Sequence, residues 1–159
     1  MPKKTYTQIN SVTLASSASS VTFSNIPATY RDLILVSNNL GTANNTGSVV
    51  RFNGDSGSNY SRVFMYGTGS VSSSGADTST SMNLVFPRTT VGVFQLQIMD
   101  YSATDKHKTV LNRTDTSEYV VWASAGRWAS TSALTSIYLA PESGSWATGA
   151  TFNLYGVIA

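Results

Sequence analysis

Few side chains in this sequence could do chemistry, and the only imidazole belongs to His107, which lies between Lys106 and Lys108. Nucleophilic catalysis with a histidine base needs a partner that orients the ring, whereas these two cations only disfavour its protonated form. The segment Gly54–Ser58 has the composition of a hydrolase G-x-S-x-G elbow but not its spacing. We therefore interpret His107 as a solvated histidine in a loop or at a strand edge.

Eight carboxylates could supply the facing pair that glycoside hydrolysis requires. Most of them occupy turns or strand ends, where aspartate commonly forms turns. Asp32 and Asp100 each border an apolar strand, so we expect them to make structural hydrogen bonds. Sequence alone does not exclude a catalytic pair, but this placement favours a protein without enzymatic activity. The eight are Asp32, Asp55, Asp77, Asp100, Asp105, Asp115, Glu118 and Glu142.

Metal and cofactor sites are not indicated. Asn53, Asp55 and Asn59 place oxygen atoms at alternating positions, as a calcium loop does. The pattern contains one carboxylate, and Phe64 occupies the position of the bidentate glutamate in an EF-hand loop. The absence of cysteine excludes disulfides, thiolate metal sites and cysteine catalysis. We predict a polar turn over these residues and no bound metal or cofactor.

The tryptophans are the side chains best suited to binding. Trp122 lies in an apolar run and is predicted to be a core residue. Trp128 and Trp146 lie among small and polar residues. They could cap the ends of the core, or they could stack on sugars or anchor a protein interface. We retain Trp128 and Trp146 as candidate partner contacts, with Tyr66 as a further stacking candidate.

Strands must position these side chains, because short β-branched and aromatic runs recur between clusters of Gly, Ser, Asn and Asp. No segment has a sustained helical period. The pattern predicts an all-β fold, a two-sheet antiparallel β-sandwich with jelly-roll-like topology, in one domain over 1–159. The predicted strands are Tyr6–Leu14, Val21–Ser24, Asp32–Asn39, Ser48–Phe52, Val93–Tyr101, Lys108–Arg113, Tyr119–Ala125, Leu134–Leu139 and Phe152–Ile158, while Tyr60–Tyr66 fits either a strand or a short helix.

Three segments have more specific expectations. The strand Asp32–Asn39 is apolar on both faces, which is typical of a central, buried strand. In Val93–Tyr101, apolar and glutamine side chains alternate, which is typical of a half-buried strand. Gly67–Ser81 consists almost wholly of small and polar residues and is predicted to be a long exposed loop, mobile in the free protein and ordered only in an assembly.

Length and charge exclude several classes of protein. A chain of 159 residues makes about one domain. Charged residues are 11% of the total, against about 25% in an average protein, and the net charge is +2. A nucleic-acid binder needs several phosphate-neutralising cations on one face, and no basic cluster here exceeds Lys3-Lys4 or Lys106–Lys108. No signal peptide or membrane-length apolar run is present, so we expect neither nucleic acid nor membrane as a partner.

The order of the strand and turn signatures resembles that of β-sandwich virion proteins of tailed phages, cyanophages among them. In such phages these modules serve as capsid decoration proteins or as tail-fibre and tail-associated domains. The resemblance implies a fold and a virion setting, but no catalytic or ligand-binding residue. The segments that carry it are Val21–Pro27, Tyr30–Leu35, Phe52–Asp55, Asn59–Ser61, Ile98–Tyr101 and Asn153–Val157, with Tyr6 before them.

A capsid decoration (cement) protein is the function that the resemblance favours. We expect a complete chain, running from Met1 to its last strand without the shaft of a tail fibre. It would be made in the bacterial host cytoplasm and would bind the phage major capsid protein on the capsid exterior. The alternative is a tail-associated receptor-binding or glycan-binding module.

Assembly is expected as well. Charged residues that block pairing at sheet edges are few, which predicts a homo-oligomer or copies bound on a lattice. The amino-terminal segment 1–5 is a candidate arm that reaches a neighbour, although a frayed terminus is the commoner outcome. Lys3, Lys4 and Tyr6 are therefore further candidate partner contacts.

Overall fold

The computed structural model describes residues 4–38, 40–43, 47–85, 89–90, 92–116 and 119–158. Within these ranges the chain forms twelve strands, and none of the residues belongs to a helix that could cross a membrane. The strands are β1 (Tyr6–Thr13), β2 (Val21–Phe23), β3 (Asp32–Asn38), β4 (Ser48–Phe52), β5 (Tyr60–Gly67), β6 (Ser72–Ser79), β7 (Met82–Val85), β8 (Gly92–Met99), β9 (Lys108–Thr116), β10 (Val120–Trp128), β11 (Ile137–Pro141) and β12 (Thr151–Val157).

The strands form two antiparallel sheets, which confirms the predicted β-sandwich. The large sheet has eight strands in the order β1-β12-β3-β8-β9-β10-β5-β6, and the small sheet has four in the order β2-β11-β4-β7. Pairs are nested along the chain: β1 with β12, β2 with β11, β5 with β10 and β8 with β9. Nested pairing of the two halves of a chain is jelly-roll-like.

The core lies between the sheets and is built by alternation along the strands. In β8, Phe94, Leu96 and Ile98 are fully buried, while the residues between them are more exposed, as predicted. The small sheet contributes side chains such as Phe52 and Ile137 from β4 and β11. Burial of each such side chain stabilises the fold by about 1.5 to 3 kcal/mol relative to its exposure. We call the core side of the large sheet its inner face and the opposite side its outer face.

Strand β3 is central, as predicted, but it is not buried on both sides. Leu33 and Leu35 are fully buried on the inner face. Ile34 and Val36 remain half-buried, because no described element packs on the outer face of the large sheet. The expectation of a doubly buried strand is therefore wrong, and its second apolar side belongs to a surface.

The prediction of a long loop over 67–81 is wrong, because β6 occupies most of it. Strand β6 pairs with β5 in unbroken register along its whole length. Two contacts from β5 fasten it: the Phe64 ring lies over Gly75, and Arg62 forms an ion pair of 2.8 Å with Asp77. Backbone hydrogen bonds and side chains of its neighbour order this strand, so its own lack of apolar residues does not prevent folding.

The polar turn predicted from Asn53 onward is present, and at Asn53-Gly54 it connects the two sheets. Both residues have left-handed φ angles, 52° and 70°, and the Asp55 N–H donates to the Phe52 carbonyl at 2.9 Å. These features define a type I′ turn. Since β4 and β5 lie in different sheets, the turn transfers the chain across the sandwich. The Asn53 side-chain oxygen accepts from the Thr135 N–H at 2.8 Å, which fixes the turn to the segment before β11.

Candidate binding surfaces

The structure buries the two tryptophans proposed as partner contacts. Trp128 is 2% exposed, and its indole nitrogen donates to Asp55 Oδ2 at 2.7 Å. Trp146 is 0% exposed and meets Phe152 edge-on, with ring centroids 5.1 Å apart. Neither ring can stack on a sugar or enter an interface without unfolding, so that prediction is wrong for both. Capping of the core, the alternative interpretation, describes them correctly.

The Asp55 carboxylate organises the polar turn between β4 and β5. Besides the Trp128 indole, it accepts from the Asn59 amide at 2.9 Å and from the Gly57 N–H at 2.9 Å. The hydrogen bond from Trp128 is the largest cause that lowers the Asp55 pKa below its usual value. These donors occupy the oxygens that a cation would need. Among the described residues, no group of three or more His, Cys, Asp or Glu could hold a metal ion.

The other titratable candidates have structural or surface roles. His107 is exposed. Asp32 is buried and accepts from the Asp100 N–H at 3.0 Å, which confirms its expected structural hydrogen bond. Asp100 itself is exposed, 3.5 Å from the Lys106 ammonium, and Glu142 accepts from an amide of β7. The described carboxylates with these partners hold loops and strand ends in place.

The amino-terminal candidate contacts are Lys3 and Lys4, which precede β1, and Tyr6, which begins it. Lys3 lies outside the described residues, and Lys4 is exposed. The Thr5 carbonyl already accepts from the Ile158 N–H at 3.0 Å, so the chain is tied to the sheet from this point on. Tyr6 is exposed and lines a depression of the outer face together with Ile34, Val36 and Tyr155. Tyr6 therefore remains available to a partner, whereas Thr5 is bonded to the end of the chain and is not part of a free arm.

The outer face of the large sheet is the most conspicuous exposed surface of the described chain. On β5 and β10, Val63 is 63% exposed, Met65 is 64% exposed and Val121 is 64% exposed. Leu111 and Val93 from β9 and β8 are exposed beside them. Val63, Met65 and Leu111 line a shallow depression with Ala123, Ala125 and the glutamines of β8. Contiguous apolar patches of this kind mark interaction sites more often than isolated exposed residues do.

Charge is sparse on this outer face. Register places Val63, Met65 and Leu111 on the same side as Arg113, Asp115 and Arg127. Arg113 lies between Gln95 and Ala123 and lines the depression, whose other outward side chains are alanine, glutamine and aliphatic residues. Its recognition must therefore depend mainly on shape, apolar contact and hydrogen bonds, with Arg113 as a charged group in the depression. The sequence did not predict this surface, because Tyr60–Tyr66 fitted either a strand or a short helix. Only the strand assignment places Val63 and Met65 together on one face of a sheet.

A second feature lies on the inner face near the β5–β6 edge. Trp122, buried as predicted, stacks with Phe64 at 4.6 Å and with Tyr66 at 5.3 Å, with interplanar angles of 16° and 5°. The Arg62 guanidinium lies 4.9 Å from the centroid of the Phe64 ring. Aromatic side chains and hydroxyl groups line a pocket of about 360 Å³ here, formed by Phe64, Tyr66, Thr68, Ser73, Ser74, Tyr119, Val120 and Trp122. We call it the aromatic pocket.

Comparisons with known proteins give only distant similarities. No protein-family model and no curated protein matches the chain. Among solved structures it is similar to Caenorhabditis elegans galectin LEC-6, at 10% identity over 94% of this chain and 96% of that one, with a TM-score of 0.39. It is also similar to alginate lyase Aly36B, at 9% identity over 92% and 77% of the two chains, with a TM-score of 0.36.

A legume lectin-like domain from Entamoeba histolytica is similar at 9% identity over 100% of this chain and 87% of that one, with a TM-score of 0.35. TM-scores and identities this low carry no argument about what the chain binds. The sandwich described above therefore rests on its own strand pairing, and the binding surfaces rest on their own geometry.

Proposed function

We propose that this chain is a structural protein of a tailed-phage virion, a decoration protein that binds the major capsid protein and stabilises the capsid from outside. The observation that carries the proposal is the exposed apolar surface on the outer face of the large sheet. Val63, Met65 and Val121, on the neighbouring strands β5 and β10, are each more than 60% exposed. Water contact with such a patch is unfavourable, and a protein partner would remove it.

A repeating capsid surface suits this kind of face. Burial of apolar area contributes about 25 cal/mol per Å² before the costs of association are subtracted, so one flat sheet face binds weakly to moderately by itself. Many copies held on one lattice bind together through avidity. The resemblance to phage β-sandwich proteins supplies the setting, and the outer face supplies a surface that such a role requires.

Mass spectrometry of purified virions tests the role directly. The phage that encodes the chain is purified by density gradient, and the chain and the major capsid protein are quantified against isotope-labelled standards. A decoration protein is expected at a copy number comparable with that of the major capsid protein. A few copies per virion, or none, would contradict the proposal, and a small number located on the tail would favour the alternative.

The alternative, a tail-associated glycan-binding module, is supported by the aromatic pocket. Its lining combines aromatic rings with the hydroxyls of Thr68 and Ser73, and sugars pack their apolar faces on rings while hydroxyls bond their polar edges. The test is a glycan array with the wild-type chain and Tyr66→Ala, with Tyr138→Ala on the small sheet as the matched control. Binding that is lost only in Tyr66→Ala would support this function, and no binding by the wild type would reject it.

A further inference from the structure

Sheet edges expose unpaired backbone groups, and three of the four edges of this sandwich are protected. Strand β1 has a bulge between Gln8 and Asn10. Strand β2 has three residues, and β7 has four with an irregular register against β4. Short strands and bulges are the usual means by which proteins prevent edge-to-edge pairing.

The fourth edge, β6, lacks all of these protections. It has eight residues in unbroken register with β5, and its sequence contains no proline, lysine or arginine. Every second residue must direct its N–H and C=O away from β5, because these groups alternate between the two sides of a strand. The side chains of β6 are small and mostly exposed, so another backbone can approach to the sheet spacing of about 4.8 Å without steric obstruction.

We propose that β6 pairs antiparallel with β6 of a second copy, about a two-fold axis normal to the sheet, so that the two eight-stranded sheets become one continuous sheet. An isologous pairing satisfies the unpaired groups of both copies at once. The proposal does not depend on the capsid role, because it follows from the edge alone.

Charge along the edge is compatible with this partner. The two-fold axis keeps inner faces on the same side, so each residue lies opposite a residue of equal parity in the other copy. Asp77, the single charged residue of β6, is thus opposite Gly75 in a pairing centred on Ala76, or opposite Ser73 in one centred on Gly75. In both registers it faces a small residue, and Arg62 of its own copy already neutralises it.

Pairing would also extend the outer face. Ala76 and Ser74 lie beside Val63 and Met65 in register on that side of the sheet. In the dimer the apolar strips of two copies therefore flank the β6 seam and form a surface twice as wide. One rigid dimer could then present two outer faces to a repeating partner surface that has two-fold symmetry.

The first test is sedimentation equilibrium of the purified chain. We expect a dimer at micromolar concentration, and we expect Ser74→Lys with Ala76→Lys to weaken it at least tenfold, because four lysines then meet at the seam. The matched control is Ser11→Lys with Thr13→Lys, which adds the same charges on the outer face of edge β1 and should leave the dimer unchanged. A monomeric wild type, or a dimer that survives the β6 lysines, would overturn the proposal.

The second test uses the absence of native cysteine. Single cysteines at Ser74, Ala76 and Thr78 are oxidised alone and in mixed pairs, and the pair that cross-links reports the register. We expect one combination to form a disulfide rapidly, while Thr13→Cys on β1 does not. Circular dichroism melting confirms that each variant is folded. No cross-link in any β6 combination of folded variants would also overturn the proposal.

Discussion

Tyr60 has a phenol that is 2% exposed and hydrogen bonded on both sides. Its hydroxyl donates to the Asp55 carbonyl at 3.0 Å and accepts from the Phe52 N–H at 3.0 Å. Burial is the largest cause that raises the pKa of Tyr60, to about 12. The phenol thus joins the core of β4 to the polar turn, and it must stay protonated to do so.

This pKa predicts alkaline unfolding. A folded-state pKa above the unfolded value of 10.0 contributes stability that is complete below pH 10 and is lost as pH rises toward 12. Two units of pKa correspond to about 3 kcal/mol. Urea denaturation between pH 9 and pH 11.5 should show the decline, and Tyr60→Phe should flatten it. In Tyr60→Phe a smaller decline of the unfolding free energy with pH should remain, because the pKa of buried Tyr101 is also raised. An equal slope in Tyr60→Phe would contradict this assignment.

Removal of the Trp128–Asp55 hydrogen bond should lower the stability of the fold but leave partner binding unchanged. Trp128→Phe removes the indole donor, which should lower the free energy of unfolding by about 1 to 3 kcal/mol. This bond lowers the Asp55 pKa in the folded state. The resulting stabilisation is therefore complete above the unfolded value of 3.8 and is lost as pH falls below it. The variant should lose less of its remaining stability in acid. Denaturation at pH 7 and pH 3 measures both effects.

Sequence could identify the tryptophans as important, but not their role. Small polar neighbours suggested exposure for Trp128 and Trp146, whereas Trp128 ends strand β10 on its buried side and Trp146 forms isolated bridges that hold its ring in the core. Trp146 is bonded through its backbone to Ala18, a residue more than one hundred positions away. Such long-range contacts leave no local pattern, so burial at these positions could not be deduced from spacing.

Among the strands, the sequence predicted β8, in which one face is apolar and the other polar. It did not clearly predict β5, which is apolar on both faces, or β6, which is polar on both. Strand β8 alternates between phenylalanine, leucine or isoleucine and polar or small residues, and both its position and its buried side were anticipated. Strand β5 presents Phe64 and Tyr66 on one side and Val63 and Met65 on the other, so neither a strand nor a helix pattern dominates. Strand β6 has almost no apolar residues, and only its pairing with β5 reveals it.

The contact between β5 and β6 gives a prediction at this scale. A Cβ at Gly75 would lie 2.8 Å from the Phe64 ring, so Gly75→Ala must displace that ring and disturb its stack with Trp122. We expect a loss of about 1 to 2 kcal/mol in the free energy of unfolding. The near-ultraviolet circular dichroism of the tryptophans should change as well. Ser74→Ala, on the exposed side of the same strand, is the control and should alter neither quantity.

For the whole molecule, the unequal sheets determine which surfaces are available. A four-stranded sheet can cover only part of an eight-stranded one. One side of the large sheet therefore forms the core and, beyond it, the aromatic pocket, while the other side remains the outer face. The two-sheet architecture followed from strand count and alternation, but the difference in sheet width depends on pairing between distant strands and was not predictable.

The sparse charge of the outer face predicts how a complex should respond to salt. Ionic screening weakens contacts between exposed charges and leaves apolar contacts nearly unchanged. Capsid binding should therefore change less than about threefold between 50 and 500 mM sodium chloride. A decline of tenfold or more, measured by co-sedimentation, would show that charged residues, and not the apolar part of this face, dominate binding.

The most direct measurement is the binding of outer-face variants to capsids stripped of this chain. Val63→Lys with Val121→Lys places two charges on the apolar part of the face over β5 and β10, and Thr22→Lys with Ser24→Lys adds the same charges at exposed positions on the small-sheet side of the sandwich. Circular dichroism first establishes that both variants are folded. We predict that the first variant loses at least 90% of the binding seen with the wild type, while the second binds as the wild type does. Equal binding by both variants would contradict the proposed role of the outer face.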